Sequence, residues 1–463
     1  VRGNAARTCP KINEQFGQFT FREGEKPMFM HSRTIAAFTV LAISFLMLLP
    51  GKVSAMSSLS RLYKMSCLGC HSTMPRLNYF GEKLLLRGYE LDKMSQADLP
   101  VNHTETESVT CTSCHNSGSV DPNGEVGAAQ YASDLFLHDV SNYLSIRYKI
   151  SALEVKTNDL TEGSEKKTRV SVGKMDWVQF WVAGPIAKNI AIRTEAELAD
   201  GKSVGLHNYA LAYSDLIPKG ALNVRVGGFT HGEWLSISDQ KRAFSPHFSI
   251  FEVKSAQGKP VDGAITSADT FKVAGAEPAI EFYGYNGPLV YQVGVSNGKS
   301  ANDVNADKNY WGTVKWYTSA EGSSVSASYL TGTDSNTAVS QKDKFRRYIV
   351  AGNLRRGPLD LAGAYVTGKD DNWDLSTGVD NTFHGGFAQA LYTLNDKVTL
   401  GGIYQRTTSD DPSIEKNSLL LGVNYYIRQN AFISTYYDAD LLSTSATHPD
   451  KKNTFVIQLR GMF

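Results

Sequence analysis

The sequence predicts an all-β transmembrane barrel of about sixteen antiparallel strands, preceded by a small N-terminal segment that is mainly helical or irregular. Three observations predict it. Apolar and polar residues alternate with period two from about Tyr143 onward. Short turns and longer polar loops alternate between those runs. The last residue is an aromatic, Phe463. Together they match an outer-membrane barrel, with apolar side chains toward lipid and polar ones toward a lumen. The 463 residues carry 47 Lys plus Arg against 46 Asp plus Glu, a net charge of +1, which argues against a dedicated nucleic-acid binder. A hydrophobic share of 41% argues against wholesale disorder, and 22 Tyr, 21 Phe and 40 Gly lean toward β structure.

Residues 1–27 precede the first Met and read as an over-extended reading frame. Residues 28–55 read as a secretory signal peptide starting at Met28 or Met30. Arg33 stands before the apolar run Ile35 to Leu49, and Val53-Ser54-Ala55 is a small-residue cleavage site. That run is short of the roughly 20 residues a helical span needs, which counts against a retained anchor. Export to the outer membrane is the expectation.

Five cysteines follow, and Cys9 lies outside the expected mature chain. The other four form Cys67-Leu-Gly-Cys70-His71 and Cys111-Thr-Ser-Cys114-His115, two copies of the c-type haem attachment frame. Two thiols bond the haem vinyl groups, and the adjacent His ligates the iron. Residues 56–130 are thus expected to hold two haem c groups, on Cys67, Cys70, Cys111 and Cys114, with His71 and His115 as proximal ligands. A disulfide framework gives no reason for the two His, and neither does a zinc site. His103, on a polar loop, is a candidate distal ligand, and Met65, Met74 and Met94 are weaker ones. His on both sides of the iron would give a low potential, and Met on one side a higher one.

Leu77, Phe80, Leu84 and Leu85 fall near a 3.6 period that Gly88 can end, so this stretch predicts a helix. So short a segment builds little core of its own, and a neighbouring surface would complete it.

Residues 140–463 are the barrel. Strands are expected from near residues 142, 169, 190, 204, 222, 278, 289, 310, 324, 345, 359, 382, 397, 417, 431 and 453. Short turns are expected at Gly184-Pro185, Pro218-Lys219-Gly220, Asn286-Gly287-Pro288, Glu321-Gly322, Arg356-Gly357-Pro358, Asn395-Asp396 and Gln429-Asn430. The long connections, with 232–277 the longest, read as solvated extracellular loops. One link, near Asp200 to Ser203, should be outside yet is short. An even strand count puts both barrel ends in the periplasm. Arg147 and Lys149 point to the lumen, either as solvated charges or as contacts for haem propionates. Asp239, His231 and His247 could receive Fe(II), but a solvated loop explains them as well.

C-x-x-C-H followed by Pro75, Leu77-Asn78, Phe80-Gly81 and Gly88-Tyr89, ahead of a large barrel, resembles the fused outer-membrane cytochrome–porin family of iron-oxidising bacteria. The resemblance implies electron uptake from extracellular Fe(II) and transfer to a periplasmic carrier, a cytochrome c or a cupredoxin. It carries Cys67, Cys70 and His71 over as the haem site. The second frame at Cys111 departs from the family's single haem. It would lengthen the wire, or mark another donor or the reverse direction, outward to extracellular acceptors. Two other functions compete: a diffusion porin with a haem plug or sensor, and a dihaem peroxidase. The peroxidase does not explain a barrel.

Overall fold

The computed structural model describes residues 71–73, 76–90, 93, 143–160, 167–199, 203–238, 242–256, 270–298, 307–319, 321–336, 341–375, 378–428, 430–442 and 450–462. Among them, sixteen strands close one antiparallel barrel. They are β3 (Leu144–Leu160), β4 (Lys167–Ala187), β5 (Ile190–Ala199), β6 (Ser203–Ile217), β7 (Leu222–Thr230), β8 (Ala276–Asn286), β9 (Leu289–Ser296) and β10 (Asn309–Tyr317). Then follow β11 (Ser324–Asn336), β12 (Gln341–Arg356), β13 (Leu359–Asp374), β14 (Val379–Asn395), β15 (Val398–Ser409), β16 (Lys416–Arg428), β17 (Ala431–Asp440) and β18 (Asp450–Met462). Each pairs with its sequence neighbours, and β18 returns to β3, from Asp450↔Leu160 to Met462↔Arg147. The largest displacement from an expected strand start is at β12, which begins at Gln341 instead of 345.

Ahead of the barrel lie β1 (His71–Thr73), β2 (Arg76–Leu77) and helix α1 (Tyr79–Leu86). The first two pair through His71↔Leu77. The helix is the one its apolar spacing predicts.

The period-two pattern sorts side chains as expected. On β16, Leu419, Leu421, Val423 and Tyr425 face outward and are 36–58% exposed, while Ser418, Leu420 and Asn424 between them are buried. Trp316, Tyr392 and Tyr425 are outward aromatics close to short turns, where a lipid-facing wall carries its girdle.

Two expectations need correction. The first turn is at Lys188-Asn189, and Gly184-Pro185 lie inside β4, with Pro185 opposite Ala191. Asn189 supplies the positive φ, +65°, that a two-residue hairpin turn demands. The second concerns the lumen. The β7–β8 connection is not a solvated loop: its described residues fold into the barrel. Leu235, Ile237, Phe244, Phe248, Ile250, Phe251 and Phe271 are all within 2% of complete burial. They pack on inward residues of the wall, among them Phe345, Ile349, Phe383, Phe387, Ile403 and Leu420. Each such side chain is worth roughly 1.5–3 kcal/mol when taken from water. So much apolar surface cannot be left in solvent, and an apolar stretch of inner wall receives it. The core of this protein therefore sits inside its barrel.

Candidate functional site in the lumen

Two elements fill the lumen, and each is held by wall residues. The first is the stretch from β2 through α1. Asn78 caps the helix by accepting a hydrogen bond from Gly81 N at 2.8 Å. At the other end Tyr89 N donates to Leu84 O (2.9 Å) and Gly88 N to Leu85 O (3.2 Å), a Schellman closure with Gly88 at φ +65°. Phe80, Leu84 and Leu86 are buried, and so are Glu82 and Lys83. An eight-residue helix buried on both its apolar and charged sides must be enclosed, and the barrel mouth encloses it.

The contacts identify the mouth. Lys83 Nζ donates to Gly287 O at 3.1 Å and lies 4.0 Å from the Tyr285 ring centroid. Arg76 pairs with Asp360 at 3.0 Å. Glu90 accepts from Asn189 N at 2.9 Å and from Ser214 Oγ at 3.1 Å, and Lys93 pairs with Asp215 at 3.1 Å. Glu82 accepts from Lys315 Nζ and the Tyr317 hydroxyl. Gly287, Asn189 and Asp215 belong to or adjoin hairpin turns, so α1 sits at the short-turn end.

The second element is the lumen loop between β7 and β8. Phe248 stacks on Phe387 with centroids 3.6 Å apart, and Phe271 on Phe345 at 4.4 Å. Phe244 fits where Gly401 and Gly422 stand opposite each other in the wall; a Cβ on either would come within 2.5 Å of its ring. Polar anchors fix the loop ends. Trp234 Nε1 donates to Glu281 at 2.9 Å, and Ser236 N donates to Ser326 Oγ at 2.9 Å. Ala256 N donates to Asp343 at 3.0 Å. Glu233 takes Arg193 and Arg225, the latter at 2.5 Å. Burial pushes the Glu233 carboxyl up, but those two guanidiniums outweigh it and bring it down to about 2.

The two elements touch. Leu86 packs in one cluster with Trp234 of the loop and with Tyr283, Tyr285, Val290 and Tyr317 of the wall.

Cys67, Cys70, Met65, Met74, Met94, His103, Cys111, Cys114, His115 and Asp239 lie outside the described residues, as do the stretches 1–27 and 28–55. His71 belongs to β1 by its backbone. His231 is buried, with Nε2 3.3 Å from Glu277 and its ring 4.4 Å from that of Trp311. His247 is exposed and 3.3 Å from Glu252, so the structure does not bring these two His together as an iron site. Among the described residues no group of three or more His, Cys, Asp or Glu is placed to hold a metal ion. Arg147 and Lys149 do face the lumen. Lys149 Nζ donates to Ser245 Oγ of the loop at 2.9 Å. Arg147 lies over Trp177 and Trp181 at 5.3 and 5.1 Å.

Sequence reasoning did not single out Arg76, Glu82, Lys83 or Phe244. A signal existed for the first three: four charges, Arg76, Glu82, Lys83 and Arg87, in a mostly apolar stretch of twelve residues call for partners on more than one side. For Phe244 the signal was indirect, two glycines at facing strand positions.

No family model matches the chain, and no curated protein matches it. Solved structures do. An anion-selective porin from Comamonas acidovorans superposes with a TM-score of 0.51 at 11% identity, covering 69% of this chain and 99% of that one. A loop-deletion mutant of the Vibrio cholerae outer membrane protein OmpT gives 0.48 at 14%, with 69% and 99% covered. The Acinetobacter baumannii outer membrane channel DcaP gives 0.47 at 12%, with 69% and 98% covered. At such identity the likeness is one of fold: a sixteen-stranded porin-type barrel.

Proposed function

We propose that this chain is an outer-membrane channel protein of porin architecture whose lumen is narrowed by its β7–β8 loop and closed at the short-turn mouth by its own N-terminal, haem-bearing segment. One observation carries the reading: the residues directly following the first C-x-x-C-H frame are ion-paired into the barrel's short-turn mouth, through Arg76–Asp360, Glu82–Lys315 and Lys93–Asp215. The outward apolar wall supports membrane insertion, and short turns mark the periplasmic end in barrels of this kind. Planar-bilayer conductance tests the reading. The full chain should conduct far below an open sixteen-stranded pore, and the Arg76→Ala/Glu82→Ala variant should conduct more than the full chain, up to the limit the β7–β8 loop sets. Equal, large conductance in both rejects the plug.

A second reading keeps the same plug and gives it electrons to move. The chain would then be a conduit between an extracellular donor, Fe(II) in the favoured case, and a periplasmic cytochrome c or cupredoxin. It rests on position: His71 pairs in register with Leu77, one residue past Arg76. A haem on Cys67 and Cys70 would thus be tethered at the mouth, and haem c would supply one-electron chemistry when bound. Anaerobic Fe(II) added to the oxidised, detergent-held protein should reduce the haem bands. Full reduction by dithionite with none by Fe(II) rejects iron oxidation and leaves outward electron export as the direction to test.

A further inference from the structure

The wall of β3, β4 and β18 carries cations that make no direct ion pair among the described residues. Arg460 stands directly opposite Lys149, and Lys149 directly opposite Trp177, in one inward-facing row across three adjacent strands. Like charges facing each other on a sheet are destabilising without an anion between them. Lys149 and Arg460 are 9% and 8% exposed. Their hydrogen bonds go to neutral oxygens: Lys149 to Ser245 Oγ at 2.9 Å, Arg460 to Ala243 O at 3.2 Å. Arg147, two residues from Lys149 on the same face, contacts only the faces of Trp177 and Trp181. The nearby carboxylates are engaged elsewhere, Asp176 also with Lys174 at 3.5 Å. Gln179 Nε2 donates to Glu197 at 2.5 Å, Asn208 Nδ2 to Glu195 at 2.8 Å, and Ser151 Oγ and Gln458 Nε2 to Asp176 at 2.6 and 3.1 Å. Among the described residues, no carboxylate lies within ion-pair distance of Arg147, Lys149 or Arg460. A buried cation with no carboxylate in contact is costly, so an anion bound against this wall would relieve that cost.

We propose that Arg147, Lys149 and Arg460, with the indole faces of Trp177 and Trp181, form a binding site for a flat, conjugated carboxylate. The cations would take the carboxylate groups, and the indoles would take the planar apolar body. Such chemistry has two sources, a free aromatic carboxylate entering the lumen or the propionates of the chain's own haem, and one experiment separates them.

Calorimetric titration of the full-length, detergent-held protein with naphthalene-2,6-dicarboxylate is the test, with its neutral diamide as control. Four proteins are compared: the chain as isolated, the Cys111→Ala/Cys114→Ala chain, and each of these with Arg147→Gln/Lys149→Gln. Heat-modifiable gel mobility confirms that every variant is a closed barrel. Binding of the dianion but not the diamide to the isolated chain, weakened at least tenfold by Arg147→Gln/Lys149→Gln, supports the site with a diffusing ligand. Binding only after Cys111→Ala/Cys114→Ala supports it with the chain's own propionates as occupant. In that case Arg147→Gln/Lys149→Gln should also shift the haem reduction potential. No binding in either background, or binding that the double substitution leaves unchanged, overturns the proposal.

Discussion

Gly88 shows how much one residue decides here. Its φ of +65° and the Ala191 Cβ only 3.3 Å from where its own Cβ would stand leave no comfortable alternative to glycine. Gly88→Ala should cost about 1–2 kcal/mol from backbone conformation alone. It should loosen α1 before it loosens the barrel, and faster hydrogen exchange confined to residues 76–90 would show this. Glu82 poses the opposite case, a charge satisfied by the wall. Glu82→Ala removes the carboxylate that Lys315 pairs with, and breaking such a buried pair costs about 3–5 kcal/mol. Glu82→Leu combined with Lys315→Met should recover most of that loss, because neither charge is then stranded. Thermal melts of the single and double variants give the coupling, and additive losses would show that the pair is not the anchor.

At the scale of elements, the strands were legible and the filling was not. Alternation on β16 and β18 shows in the sequence because one side of each strand meets lipid and the other the lumen. Helix α1 was legible for the same kind of reason, its apolar spacing and Gly88. The lumen loop has no period. Leu235, Phe244, Phe248 and Phe271 stand among Ser, Lys and Gly like the content of an ordinary long loop. Only the wall tells where they go, through the glycine pair Gly401–Gly422 and the stacked Phe387 and Phe345. The lumen loop also has a definite pH range. Glu233 titrates near 2 in the fold against an ordinary value of 4.5, so its ionised form favours the seated loop. That contribution is complete above about pH 4.5 and is lost as pH falls through about 2. Protection of residues 231–238 from exchange should therefore be unchanged between pH 7 and 5 and fall below about pH 3. Glu233→Gln should show the loosened state already at pH 7. Loss of protection at pH 5 in the parent chain would contradict the Arg193–Glu233–Arg225 anchor.

The whole molecule depends on one seam. β3 and β18 pair along most of their lengths, and this is the strand pairing that joins the two ends of the meander. Deleting Asp450–Met462 should leave two unpaired edges and no closed species, seen as loss of heat-modifiable migration. The seam also has a consequence in time. Residues 76–90 precede the barrel in the chain and the lumen loop precedes β8, so the contents come before the strand that shuts the ring. When β18 meets β3, a helix and a loop of aromatic side chains must already lie within the ring, or pass through an opening they fill. Closing the seam is thus a packaging step, and a chain whose interior is unfinished at that moment would be shut without its cargo.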